Sequence, residues 1–412
     1  MMRRMPRRAR RANSRGTDPH DRRGRREAGA SHPLCHARRA SWRCGRSTTC
    51  SVFVLSRGAY SPVRLAALGS DGEKTRMSRA RCQTMHTLPF LLAGGLIVGT
   101  PASAETIRVC PEGSQMQSCD FTGNDAVQEA VDRAVDGDVI RLAAGRYIPS
   151  SYRDVPFEDI VARGYVVIRG KRLAIEGSDG TVLDGREGTP TIAFVLEDAD
   201  VSFRNLEISD FRWGEEEDDI YDGHGIFAID SRVRASDIVM RGIVKMALTG
   251  RGRTLIDGSA LRLVDGHLGI WLEEAAHAHV RDSVITGGDS AGIATYDDST
   301  LHLFNSVVAN NTDDGVYAAD HSTILVTHSV IAGNAPYGIN AEAKGRVTVR
   351  ESAMHANAAP ANSALAPGQL VIGEDVVQTD PMLDAQWLPK PGSPLLGRDG
   401  SGRPIGLTGE RP

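Results

Sequence analysis

The sequence predicts an all-β chain: a right-handed parallel β-helix, a solenoid of ~23-residue coils behind an N-terminal capping helix. Three observations lead there. A run of anchors, Gly225-Ile226, Ala247-Leu248, Gly269-Ile270, Gly292-Ile293, Gly315-Val316 and Gly338-Ile339, falls at steps of 22, 22, 23, 23 and 23. A second column, Ser236, Ser259, Asp282, Asn305, His328 and Glu351, recurs every 23 residues, with Asp237, Ala260, Ser283, Ser306, Ser329 and Ser352 behind it. Within each unit, short runs such as Gly315-Val316-Tyr317-Ala318-Ala319-Asp320 and Ile324-Leu325-Val326-Thr327 alternate with polar turns such as Ala309-Asn310-Asn311. Three short strands per unit suit one coil of a parallel β-helix. A leucine-rich repeat would need Leu at fixed offsets, and a propeller about twice the period.

The chain before the repeat has two oppositely charged parts. Residues 1–84 hold 21 Lys and Arg against 5 Asp and Glu, a net of +16, whereas residues 105–412 hold 27 against 47, a net of -20. Residues 1–76 are Arg-rich and without hydrophobic periodicity, and with Cys82 the leader holds four of the six Cys. They read as a disordered basic segment or as an over-extended start. A signal peptide is expected over 77–104. Arg79 and Arg81 precede the apolar run Met85–Gly99, and Ala102-Ser103-Ala104 offers a small-x-small cleavage site before Glu105. The run is short for a membrane span, and no Cys follows the site to carry a lipid anchor. The expectation is a secreted or periplasmic protein without a stable membrane anchor. A basic arm for nucleic acid would be cut away with the leader, so no nucleic-acid partner is expected. Nothing in the pattern speaks to oligomeric state.

Cys110 and Cys119 lie nine positions apart in the exported part and read as one local disulfide. Asn124 or Asp125 caps a helix on which Val127, Ala130, Val131 and Ala134 share a face, and Gly137 stops it. A first strand, Asp138–Leu142, follows. The coils before Gly225 are irregular, with strand-like runs at 165–168, 173–177 and 201–208. An acidic insertion, Gly214–Asp219, interrupts them. The β-helix is expected over 105–372 and a Pro/Gly-rich C-terminal cover over 373–412, because an open solenoid end exposes strand edges and core.

The helix running into Gly137-Asp138-Val139-Ile140-Arg141-Leu142-Ala143-Ala144-Gly145-Arg146-Tyr147 resembles the start of pectin-lyase-like right-handed β-helix proteins. The ending Asp380-Pro381 … Leu388-Pro389-Lys390-Pro391-Gly392-Ser393-Pro394 is similar to a tail many of them carry. The resemblance runs from about Glu105 to the C-terminus. It implies the fold and leaves the reaction open, since the superfamily holds polysaccharide lyases, hydrolases, epimerases and proteins without catalysis.

Stacked strands lie about 4.8 Å apart, so residues one coil apart become neighbours on one face. Five positions past the anchors stand Asp230, Gly252, Glu274, Asp297 and Asp320. One position earlier stand Ile229, Arg251, Glu273, Tyr296, Ala319 and Glu342, and two earlier again Phe227, Thr249, Trp271, Ala294, Tyr317 and Asn340. If the strands alternate, these columns form an outward strip of acids and aromatics. Glu274, Asp297 and Asp320 are the catalytic candidates. Adjacent coils suit the ~5 Å carboxyl spacing of retaining glycosidases, and two coils suit the ~6.5–9.5 Å of inverting ones. The competing reading is that they open the turn after the strand, where Asp is favoured.

Tyr296, His321 and Arg251 are candidate base or carboxylate neutralisers for β-elimination, and Trp271, Tyr317 and Asn340 candidate sugar contacts. Asp289, Asp313 and Asp314, in the turns before the anchors, are candidate calcium ligands or ordinary turn residues. Two motifs are set aside. Asp222-Gly223-His224-Gly225 contains a Gly-His-Gly similar to that of polygalacturonase-like hydrolases, but Asp313-Asp314 follows it instead of preceding it. Asp18-Pro19-His20-Asp21 resembles a motif of mannuronan C5-epimerases and lies before the signal peptide. The expected activity is on polysaccharide, as lyase, epimerase or hydrolase of an acidic glycan. The alternative is a non-catalytic β-helix that binds glycans or coats a surface.

Overall fold

A computed structural model describes residues 104–412 except 115–117, 159, 215–219, 363, 398–403 and 408–412. The basic N-terminal residues, nearly all of the expected signal peptide, the Asp18–Asp21 motif and the acidic run Glu215–Asp219 lie outside the described residues.

Alternating Val, Ile and Leu put one side of each short strand into a shared interior, and the coils stack through parallel pairing. The result is the expected right-handed parallel β-helix. The anchor strands form a front sheet: Ile160–Arg169, Ile192–Glu197, Ile226–Ile229, Met246–Arg251, Leu268–Leu272, Ile293–Thr295, Val316–Ala318, Tyr337–Ala341 and Ala359–Ala361. The other two sides form one 19-stranded sheet. Two of its coils use single ten-residue strands, Asp200–Ser209 and Arg232–Arg241, while the coils on either side use pairs such as Arg172–Gly177 with Thr181–Asp184 and Leu255–Ser259 with Arg262–Val264. Ile226, Ile270, Ile293, Val316 and Ile339 are fully buried one above another. Each such side chain contributes about 1.5–3 kcal/mol relative to exposure.

Polar ladders run inside the corners. Ser283, Ser306, Ser329 and Ser352 are fully buried, and the backbone N–H of each of the first three donates to the hydroxyl one coil on, at 3.0–3.1 Å. Asn311, Asn334 and Asn357 repeat this at another corner. There the N–H groups of Asn311 and Asn334 donate to the next carboxamide at 3.1 and 3.0 Å. These ladders satisfy buried turn backbone that no strand could pair. One column read from the sequence is corrected. Ser236 aligns with Ser259, but Ser259 aligns with Arg281, so the 23-residue column slips by one before Asp282. A coil of 22 residues lies there, and the left-handed turn position runs Asp237, Ala260, Asp282, Asn305, His328, Glu351.

The cap begins earlier than expected, with strand Thr106–Cys110 pairing to Val139–Leu142. Cys110 and Cys119 are disulfide-bonded, with Cα atoms 5.9 Å apart. The helix spans Ala126–Arg133, and Val127, Ala130, Val131 and Ala134 are buried as anticipated. Asp125 occupies the N-cap position without a side-chain cap bond and accepts instead from the hydroxyls of Ser150 and Ser151. The helix ends four residues before the glycine stop expected at Gly137. Lys171 supplies the cap, its ammonium donating to the carbonyls of Val131, Asp132 and Ala134 at 2.7–3.1 Å. Gln128 closes the sheet edge. Its amide donates to Val167 O at 3.2 Å and accepts from Val167 N–H at 2.6 Å. At the other end the tail folds back along the stack, with Val377, Leu395 and Ile405 packed on Val307, Val330 and Ala353.

Candidate functional site

The front sheet has three outward columns. Two are those expected. The third, His224, Met246, Leu268, Ala291, Asp314 and Tyr337, sits just before the anchors. The first coils of this face are closed. Hairpin Arg153–Phe157/Ile160–Arg169 lays Val155, Ala162 and the partly buried Phe157 over the buried Val167, Val195, Phe227 and Ile229. The tip reaches Arg251, where Glu158 pairs with the guanidinium at 3.3 Å and the Phe157 ring centroid lies 4.6 Å from it. Arg251 also pairs with Glu273 and, at 3.1 Å, with Glu274. From Trp271 onward no described element covers the strip.

In the open part the Trp271 and Tyr296 ring centroids lie 4.4 Å apart with the rings tilted by 30°, and those of Tyr296 and Tyr317 lie 5.6 Å apart with a tilt of 51°. Ala294, small and buried, lies under them between Trp271 and Tyr317. Glu273 borders this aromatic floor. Burial pushes its carboxyl pKa up, against the lowering effects of the Arg251 charge and a hydrogen bond from Trp271. Two coils further on, Asp313 is exposed and Asp314 is buried. Burial raises Asp314 to about 6, helped by the charges of Asp313 and Glu342 and opposed by an Asn340 amide that donates to Oδ2 at 2.8 Å. Its Oδ1 is buried without a partner. Tyr296 is pushed up to about 12, first by burial and then by Glu273, Glu342, Asp313 and Asp320. Its coil lies between those of Glu273 and Asp313, which stand toward opposite ends of the front strands. Burial and a hydrogen bond to Glu342 push Tyr317 upward too.

The carboxylate column chosen from the sequence sits elsewhere. Asp198, Asp230, Gly252, Glu274, Asp297, Asp320 and Ala343 all have φ between 46° and 64°, the left-handed conformation of a turn. Their carboxylates tie coil to coil. Gly252 N–H donates to Glu274 at 2.7 Å, Glu274 N–H to Asp297 at 3.0 Å and Asp297 N–H to Asp320 at 3.4 Å. Glu274, Asp297 and Asp320 are therefore reassigned from catalysis to the turn ladder. The reason is local: Asp tolerates this backbone and can bond to neighbouring turn N–H groups. His321 is exposed in the same turn row, beside the Lys344 ammonium at 3.2 Å. Arg251 is committed to the hairpin tip and two glutamates. Trp271, Tyr296, Tyr317 and Asn340 are brought together in the strip.

Asp289, Asp313 and Asp314 do not converge as calcium ligands. Asp289 pairs outward with His267, Asp313 accepts the Asp314 N–H at 2.9 Å, and Asp314 faces Asn340. Among the described residues no group of three or more His, Cys, Asp or Glu is placed to hold a metal ion. Glu273 and Glu342 were not chosen from the sequence, although both stand in the outward column of Arg251 and Tyr296. That column was the signal that could have found them. In Asp222-Gly223-His224, Asp222 and His224 are fully buried behind the hairpin, and burial holds His224 down at about 3.

A family model described as "Right handed beta helix region" matches residues 191–364. Residues 191–364 are accordingly a right-handed β-helix region, in agreement with the coils described above. No curated protein is significantly similar to it in sequence. Similar solved structures include pectate lyase Pel9A, 13% identical with a TM-score of 0.44, covering 68% of this chain and 80% of the lyase. The periplasmic alginate epimerase AlgG is 12% identical with a TM-score of 0.37, and the match covers 66% of this chain and 58% of the epimerase. The catalytic unit of a GH87 alpha-1,3-glucanase from Streptomyces thermodiastaticus is 12% identical with a TM-score of 0.34, covering 68% of this chain and 70% of that one. At such identities the likeness concerns the fold alone.

Proposed function

We propose that the chain, exported through its 77–104 signal segment, binds a carbohydrate polymer along the open front strip and hydrolyses it. Glu273 is the proton donor and Asp313 the base. The observation that carries this is the Trp271–Tyr296–Tyr317 row of tilted rings, with the half-buried Glu273, its pKa raised, toward one end of the strands and the exposed Asp313 toward the other. Sugars stack on aromatic faces, and carboxyls in contrasting environments divide the acid and base roles. The two lie two coils apart, about 10 Å along the stack, and at opposite ends of the front strands, so the substrate would have to lie across the strip between them. In that step the Asp313 carboxylate takes a proton from water, whose oxygen bonds to the anomeric carbon. The glycosidic C–O bond breaks and its oxygen takes the Glu273 proton.

The outward columns favour hydrolysis over elimination or epimerisation. Among the described residues, these columns carry Glu273, Asp314 and Glu342 and, of cations, Arg251, already held by three glutamates. A uronate carboxylate would find no spare cation there, so a neutral glycan fits this strip better than the acidic one expected from the sequence.

The test is to assay the protein from Glu105 on α- and β-glucans, xylan, polygalacturonate and alginate, with calcium and with chelator. Reducing ends report hydrolysis and ultraviolet absorbance reports elimination. Reducing ends from a neutral polymer, lost in Glu273→Gln and with weakened substrate binding in Trp271→Ala, are the expected result. Elimination products, or full turnover by Glu273→Gln, would refute the assignment. Binding without any product would favour the non-catalytic alternative.

A further inference from the structure

We propose that the hairpin Arg153–Phe157/Ile160–Arg169 is an end wall, so that the strip takes the terminus of a glycan chain and releases short products. This rests on the hydrolytic reading above and adds its mode of action. The outward column that forms the floor can be followed coil by coil. Val167, Val195, Phe227 and Thr249 are at most 7% exposed, and Trp271 is the first with its ring accessible. The change has a visible cause. Val155, Phe157 and Ala162 lie on the first coils, and Tyr221 stacks beside His224 against Phe227. A polymer lying along the sheet therefore cannot continue past Arg251 toward the cap helix. In the other direction the floor continues over the part-exposed Tyr317 to Asn340, which is itself buried and accepts from the Asn362 amide at 2.9 Å.

The wall is latched. Glu158 pairs with Arg251 at 3.3 Å, and Phe157 places its ring over the same guanidinium at 4.6 Å. The residues are 93 or more positions apart in sequence, so the contact is tertiary and specific to this insertion. Arg251 in turn pairs with Glu273. The proposed proton donor therefore stands one coil, about 5 Å of stack, from the wall. Only a mono- or disaccharide fits between the wall and the cleaved bond. Phe157 and Glu158 are thus specificity residues that act through Arg251, and they touch neither the bond nor the water.

The test compares viscosity loss with reducing-end release on whichever polymer of the panel is hydrolysed. The wild-type chain is expected to release mono- or disaccharide while viscosity stays nearly constant. A Phe157→Ala, Glu158→Gln double variant, checked for an unchanged far-ultraviolet circular dichroism spectrum, is expected to lose viscosity several-fold faster per reducing end and to give longer products. A rapid fall in viscosity with the wild-type chain overturns the wall whatever the variant does. A folded variant with an unchanged product profile also overturns it. If no polymer yields reducing ends, the hydrolytic reading itself fails, and the end wall with it.

Discussion

Asp314 carries the sharpest quantitative consequence. It is only 5% exposed, its Oδ1 has no partner, and burial raises its pKa from 3.8 to about 6. A shift of about two units corresponds to about 3 kcal/mol between folded and unfolded states. The sign follows from proton counting. Between pH 3.8 and about 6 the folded state holds a proton that the unfolded state has released, so stability falls as pH rises across that window. Below it both states are protonated and the burial costs nothing extra. Above it the ionised carboxylate costs the full amount. Asp314→Asn removes the charge while retaining an oxygen to accept from Asn340. The variant should match the wild type near pH 4 and exceed it by up to about 3 kcal/mol at pH 7–8. The assay is urea unfolding of both proteins from pH 4 to pH 8, read as the difference at each pH. Other titrating groups are common to both chains and cancel in that difference. A pH-independent difference, or a variant less stable at pH 7, would refute the reasoning. A gain would mark Asp314 as an acid kept beside the strip at a cost in stability.

Two further outcomes follow from buried polar groups. His224 is fully buried and its pKa is lowered to about 3. The folded state therefore binds fewer protons than the unfolded one below about pH 6.5, and stability should fall as pH drops from there toward 3. His224→Phe should flatten that acid limb in pH-dependent thermal melts, and an unchanged limb would refute the assignment. Asn334→Ala leaves the Asn311 N–H and the Val308 carbonyl without their side-chain partners. It should cost about 3 kcal/mol in urea unfolding, since each orphaned buried group costs about 1–3 kcal/mol. A loss below about 1 kcal/mol would show that water replaces the ladder.

Much of this architecture was legible as a period. Gly225, Gly269, Gly292, Gly315 and Gly338 recur because stacked strands repeat one environment every coil, and the buried Val and Ile columns recur with them. The cap helix was readable from its apolar face, and Trp271, Tyr296 and Tyr317 from strand alternation. The same periodicity misled where it was purely local. Asp297 and Asp320 recur because a left-handed turn recurs, and a column of turn aspartates looks in sequence like a column of catalytic ones. Asp313 and Asp314 are adjacent and chemically alike, yet one is exposed and the other buried. The corner before strand Val316–Ala318 decides between them, and no composition rule does.

The sequence by itself determined the coil, its core and its cap, because those contacts repeat and each repeat restates the same burial pattern. Only the tertiary structure decided where the strip begins. Residues 153–164 occur once, match no neighbouring coil, and meet Arg251 and Phe227 far along the chain. A unique insertion is placed by the surface it lands on, and that surface exists only after the coils have stacked.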